Sequence, residues 1–196
     1  MIVGFDFDNT IVNYDNVFFK IALKKKFISK NVLKNKSAIK EYFLKRGKIE
    51  NWKILQSEVY SKQVFQAKPY KGFLKILKIL LYKKIDVKII SHKTLYPYYG
   101  EKINLHSLSK KWIKKNIKTK LRKKIKVYFE KTETKKILRI KKTKCDFFVD
   151  DLESILRQLP SKTKKILFSP KNKLKKSNTK FIVISSWHDL LKIFFK

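Results

Sequence analysis

The sequence predicts an α/β protein, a three-layer α/β/α doubly wound parallel sheet with a small helical insertion. Three observations lead there. Short apolar runs (IVGF at 2–5, DVKII at 86–90, DFFV at 146–149, ILF at 166–168) lack the alternation of half-exposed strands and read as strands covered on both faces. Helical spacing fills the stretches between them, and strand–helix alternation implies parallel neighbours joined by crossovers. One longer helical stretch, 14–68, interrupts the alternation directly after the first strand.

The first strand, 2–5, ends at Asp6 and Asp8. Within 14–68, Ser37 is placed to cap a helix running AIKEYFLKR, which Gly47 stops. Trp52, Leu55 and Val59 then share one face of a second helix. Pro69 breaks the pattern, and Gly72 precedes the helix FLKILKILLYKK. The strand at 86–90 ends at Ser91 and opens into an aromatic loop, SHKTLYPYYGEKINLH, before a helix near 107–118. KVYF at 126–129 is a strand, TETKKILRIKK a helix and DFFV the next strand. A helix near 152–158 precedes strands at 166–168 and 181–184, and Ser186 with Asp189 in SWHD forms a capping-box-like start to the last helix.

Lys and Arg number 50 against 15 Asp and Glu, a net charge of +35. Two readings stand side by side. One is a nucleic-acid or anionic surface. The other is compositional bias: 46 of the basic residues are Lys and only 4 Arg, with 23 Ile and 3 Ala, the pattern of AT-rich codons. Base readout and bidentate phosphate clamps favour Arg, which tilts the balance to the second. Under either reading the field attracts anionic substrates, and nonspecific nucleic-acid contact is expected. Cys145 stands alone and precedes an apolar strand, as a buried thiol does. The most apolar stretch, GFLKILKILLY, is short and carries Lys75 and Lys78, so no membrane span is expected. The N-terminus reads directly as a strand without a leader pattern, and a cytoplasmic location is expected. Neither GxGxxG nor GxxxxGK[ST] occurs, which leaves dinucleotide and P-loop readings without support.

Of eight aspartates, four stand in two strand-end pairs, Asp6/Asp8 and Asp150/Asp151. Like-charged pairs at such positions are costly unless something positive binds there. In a parallel sheet, ligands bind beyond the carboxyl ends of the strands, where these four and Ser91 all fall. The stretch DFDNT after the first strand resembles motif I of the haloacid dehalogenase-like (HAD) hydrolase superfamily. The likeness continues in order, with Ser91 closing a second strand, Lys136 in KKILRIKKTKCDFFVDD and the acidic VDD tail.

The resemblance implies a HAD-like Rossmannoid core (1–13 and 69–196) with a helical C1-type cap (14–68). It also implies phosphoryl transfer through an aspartyl-phosphate. Asp6 would be the nucleophile and Asp8 the acid and base; Ser91 would bind phosphoryl oxygens, and Lys136 would offset charge. Asp6, the Asp8 carbonyl and Asp150, with Asp151 nearby, would hold Mg²⁺ through hard oxygen ligands. An acid at Asp8 points to a phosphatase or phosphotransferase rather than a dehalogenase. The expected substrate is a small phosphomonoester, a sugar phosphate or nucleotide. A polynucleotide or phosphoprotein phosphatase is the first alternative, and a non-enzymatic basic nucleic-acid-binding protein the second. Lys135 competes with Lys136 for the lysine role, and Asp151 has a second reading as a helix cap.

Overall fold

Residues 1–170 and 181–195 are described by the computed structural model. They fall into two units, one of Met1–Val12, Pro69–Lys93 and Lys114–Lys196, the other of Asn13–Lys68 and Thr94–Ile113.

The first unit is built on a sheet. Its strands are β1 (Ile2–Phe5), β4 (Asp86–His92), β5 (Ile125–Glu130), β6 (Phe147–Asp150), β7 (Lys164–Phe168) and β8 (Ile182–Ile184). Short strands β2 (Val12–Asn13) and β3 (Lys68–Pro69) pair with each other in the stretches that link the two units. The large sheet has six strands in the order β5-β4-β1-β6-β7-β8, and every pairing in it is parallel. This is the expected α/β sheet, with β1 inside it. Asp6 therefore leaves the sheet between β4 and β6, which carry Ser91 and Asp150.

Helices cover the sheet because each has an apolar stripe. In α4 (Phe73–Tyr82), Phe73, Ile76, Leu77, Leu80 and Leu81 are buried, the spacing of one helical face. Gly72 starts that helix at φ 92°, a left-handed conformation that side chains resist. Helix α7 (Glu133–Lys142) packs on β4 and β5 and buries Lys136, Ile137 and Ile140; α8 (Glu153–Arg157) packs on β6 and β7.

Strand alternation divides the core into two layers. Phe148 and Ile90 join Ile137, Ile140, Ile155 and Leu156 in one layer. Phe5 meets Phe73 and Trp187 edge-on in the other, at ring separations of 5.9 and 5.4 Å. Gly4 faces Phe148: a Cβ there would lie 2.5 Å from the Phe148 ring and 3.0 Å from Cys145 Sγ. Cys145 is buried, as expected. A Gly4→Ala substitution is accordingly expected to destabilise the protein by about 1–3 kcal/mol, the usual cost of overpacking. Denaturant unfolding checks it, and an unchanged midpoint would contradict this packing.

The second unit contains three helices from the inserted stretch: α1 (Asp15–Lys24), α2 (Lys36–Leu44) and α3 (Ile49–Tyr60). Phe18 of α1 stacks on Trp52 of α3 at 5.1 Å, and Leu55 and Val59 are buried beside Trp52 on the expected face. The cap on α2 is Asn35 rather than Ser37. Asn35 is extended, and its Oδ1 accepts from Ala38 N at 2.7 Å, so Ser37 already lies inside the helix. The aromatic loop and most of α5 (Leu105–Asn116) group with these helices and not with the sheet. Long-range bonds explain this, since Trp112 Nε1 donates to the Ala67 carbonyl at 2.9 Å and Tyr99 N to Ser57 Oγ at 3.1 Å.

Two short helices complete the first unit, α6 (Thr119–Arg122) and α9 (Asp189–Phe194). The box before α9 is reciprocal: Asp189 Oδ2 accepts from Ser186 N at 2.9 Å, and Ser186 Oγ from Asp189 N at 3.3 Å. Among the described residues, no helix is long and apolar enough to cross a membrane.

Candidate active site

The side-chain period of a strand places the first two carboxylates. Gly4 faces the layer containing α7, so Asp6, two residues on, exits the sheet on that side. Phe148 lies in the same layer, and Asp150 follows it by two. Lys136 rises from α7 between them. Its Nζ donates to Asp6 Oδ1 at 2.7 Å and to Asp150 Oδ2 at 2.6 Å. The three side chains are 2%, 6% and 0% exposed in the order Lys136, Asp6, Asp150, so the ion pairs are shielded from water. Helix α7 is held by Thr132, whose Oγ1 accepts from Lys135 N at 3.2 Å. Lys136 rather than Lys135 therefore reaches the aspartates; Lys135 is exposed.

Asp151 completes a group in which one carboxylate oxygen from each of Asp6, Asp150 and Asp151 lies within 4.8 Å of the others. Thr10 fastens it: Thr10 Oγ1 donates to Asp151 Oδ1 at 3.3 Å and accepts from Asp151 N at 3.1 Å. Helix α8 takes no side-chain cap from Asp151, since its N-cap residue is Leu152. Asp150 Oδ1 accepts from Leu152 N at 3.0 Å instead.

The chain turns sharply after Asp6. The Phe7 carbonyl accepts from both Ile11 N and Val12 N, at 3.1 and 3.0 Å. Asn9 sits at φ 62°, a region that Asn enters more readily than most residues. This turn carries Asp8, whose carboxylate lies outside the three-aspartate group and pairs with Lys93. Ser91 is buried at the end of β4, two residues past Ile89, the partner of Phe5. Its hydroxyl donates to the His92 carbonyl at 3.4 Å. Thr10 and Lys93 had no role in the sequence reading. Thr10 was visible as the last residue of DFDNT, whereas Lys93 has no signal beyond standing two residues after Ser91.

The Lys136 ammonium bonds two of the three carboxyls. Burial works against the Lys136 ammonium, but Asp150 and Asp6 outweigh it, and the lysine is held above its ordinary range. Burial pushes the Asp150 carboxyl up, Lys136 pulls it back, and Asp6 and Asp151 add to the rise, leaving it at about 8. Hard carboxylate oxygens converging on one point fit a divalent cation.

With a folded value of about 8 against an ordinary 3.8, Asp150 binds its proton more tightly in the fold. Its contribution to stability is complete at low pH and is lost as pH rises through about 8. A cation competes with that proton. The rise in melting temperature caused by millimolar Mg²⁺ is therefore expected to be larger at pH 8.5 than at pH 6.5 (roughly half a unit or more either side of that midpoint), as read by thermal scans with and without the metal. An equal rise at both pH values would contradict a raised Asp150 carboxyl.

No family model matches the sequence, and no curated protein matches it. The fold is nevertheless that of the HAD-like hydrolases. A HAD phosphatase from Thermococcus onnurineus aligns over 99% of this chain and 97% of its own, with 16% identity and a TM-score of 0.56. A predicted phosphatase from Clostridium acetobutylicum aligns over 98% and 96%, with 16% identity and a TM-score of 0.60. Protein Tyrosine Kinase A of Mycobacterium tuberculosis aligns over 100% and 98%, with 11% identity and a TM-score of 0.65. At these identities the likeness is one of fold.

Proposed function

We propose that the protein is a Mg²⁺-dependent phosphatase that hydrolyses a small phosphomonoester, a sugar phosphate or nucleotide, through an aspartyl-phosphate on Asp6. The observation that carries this reading is the Lys136 ammonium held between Asp6 and Asp150, with Asp151 in the same carboxylate group, at the carboxyl ends of adjacent strands. HAD-like fold neighbours that include phosphatases support it.

An Asp6 carboxylate oxygen attacks phosphorus, and the bond from phosphorus to the leaving oxygen breaks. Asp8 gives that oxygen a proton. Asp8 then takes a proton from water, the water oxygen attacks phosphorus, and inorganic phosphate departs as the Asp6 carboxylate is restored. Lys136 offsets charge on the nucleophile and the phosphoryl oxygens, and Ser91 donates a hydrogen bond to the latter. A divalent cation held by Asp6, the Asp8 carbonyl, Asp150 and Asp151 would supply neutralisation between two anions. The helical segment 14–68 is read as a substrate-selecting cap because it enters the chain between the segments carrying Asp8 and Ser91.

The test is phosphate release from a panel of sugar phosphates, nucleotides and a terminally phosphorylated oligonucleotide, with Mg²⁺ and with chelator. Mg²⁺-dependent turnover is expected, with the best substrate among the small esters. Preference for the oligonucleotide would replace the small substrate by a polymer, and no release from any ester would refute the phosphatase reading. Within that assay, Asp8→Asn is expected to slow turnover by roughly 10²–10⁴-fold, the range of a general acid–base group. A loss of under about threefold, far below that range, would remove Asp8 from its role.

A further inference from the structure

Lysine is almost never buried without a partner, because its ammonium loses water and its stem loses freedom. Among the described residues three lysines are buried: Lys88, Lys93 and Lys136. Lys88 pairs with Asp86 near the start of β4, and Lys136 belongs to the aspartate cluster. Lys93 is left. It is 4% exposed, and its Nζ lies 2.5 Å from Asp8 Oδ2. Its backbone is fixed just beyond the sheet, where Lys93 N donates to the Glu130 carbonyl at 2.8 Å. Its ammonium also lies 5.8 Å from the centre of the Phe7 ring, and that ring meets Phe129 edge-on at 5.3 Å. A side chain of this length could have reached solvent; packing alone would be met by Ile or Met. The buried cation is held against the Asp8 carboxylate.

We propose that Lys93 is a positioning residue for proton transfer: it grips the Asp8 carboxylate through Oδ2 and so fixes its orientation toward the leaving group and then the attacking water. This rests on the phosphatase reading above. A carboxylate on a tight turn can swing about its terminal torsion, and a general acid acts only within hydrogen-bond reach of the reacting oxygen. An ammonium anchored to the sheet removes that freedom. Lys93 thus does for Asp8 what Thr10 does for Asp151.

The test compares two esters that differ in their need for a proton. An alkoxide does not leave without one; p-nitrophenolate does. In Lys93→Met, kcat/KM for an alkyl phosphate is expected to fall about 10- to 100-fold, part of what a general acid contributes, while kcat/KM for p-nitrophenyl phosphate falls by under about threefold. A burst of p-nitrophenolate is also expected, since activation of the hydrolytic water is slowed after the first step. Lys93→Arg keeps the cation and should narrow the gap between the two esters. If Lys93→Met does not fold, Lys93→Gln, which keeps an N–H donor, is read by the same comparison. Equal losses on both esters, or a change confined to KM, would overturn the inference and make Lys93 a structural or phosphate-binding group. If the unmutated protein hydrolyses neither ester, the phosphatase reading fails and Lys93 has no such role.

Discussion

Asp6→Asn is expected to abolish turnover of every phosphomonoester while leaving the protein at least as stable. The amide matches the carboxylate in size, but its neutral oxygen is too weak a nucleophile to form the acyl-phosphate. Stability should survive because the site is overcharged: Asp6, Asp150 and Asp151 converge on one point, and Lys136 is the cation seen bonded to two of them. Asp6 is one of the charges that raise the Asp150 carboxyl, so its removal also lets Asp150 release its proton more readily. Lost activity without lost stability is the mark of a group retained for chemistry rather than for folding. The measurements are phosphate release, a thermal scan, and acid-quench trapping of a phosphoenzyme that the unmutated protein forms and the variant does not. Unchanged turnover would rule out Asp6 as the nucleophile.

Much of this arrangement was legible because strands and carboxylates have strong local signatures. An apolar run ending in Asp6 or Asp150 predicts both the strand and the place of its acid, and the sheet order then brings β1 and β6 together. The choice between Lys135 and Lys136 was harder for a definite reason. Lys136 shares a helical face with Ile140, four residues on, while Lys135 stands three before Leu138, and both partners are apolar. The structure breaks the tie, since Leu138 is 57% exposed and Ile140 fully buried. Lys93 was invisible because it is one of 46 lysines and its partner lies 85 positions away. The grouping of Thr94–Ile113 with the inserted helices depends on contacts such as Trp112 to Ala67, 45 residues apart, which no local pattern encodes. At Asn35 and Ser37 two good capping residues compete, and only the extended backbone at Asn35 decides between them.

The second large effect is expected from Lys136→Met. Methionine fills similar volume and keeps an apolar stem near the Phe148 ring, which lies 5.7 Å from the lysine Nζ, so little packing is lost. What is lost is the ammonium between two carboxylates that are 6% and 0% exposed. Removing one partner of a buried ion pair costs about 3–5 kcal/mol, because the charge left behind has neither water nor a counter-ion. At roughly 2–4 °C per kcal/mol for a chain of this size, the melting temperature should drop by about 6–20 °C at pH 8. Without the lysine, which pulls the Asp150 carboxyl back down, Asp150 holds its proton to higher pH, and protonation relieves the repulsion. The deficit should therefore shrink as pH falls toward about 5, below the protonation of Asp150. Millimolar Mg²⁺ should raise the melting temperature of the variant more than that of the unmutated protein, since the cation enters where an ammonium is missing. A variant that melts normally at pH 8 and ignores Mg²⁺ would show that the three aspartates do not act as one charged site. A variant that recovers stability with Mg²⁺ but not activity would separate charge neutralisation within the cluster from the role proposed for Lys136 at the phosphoryl group.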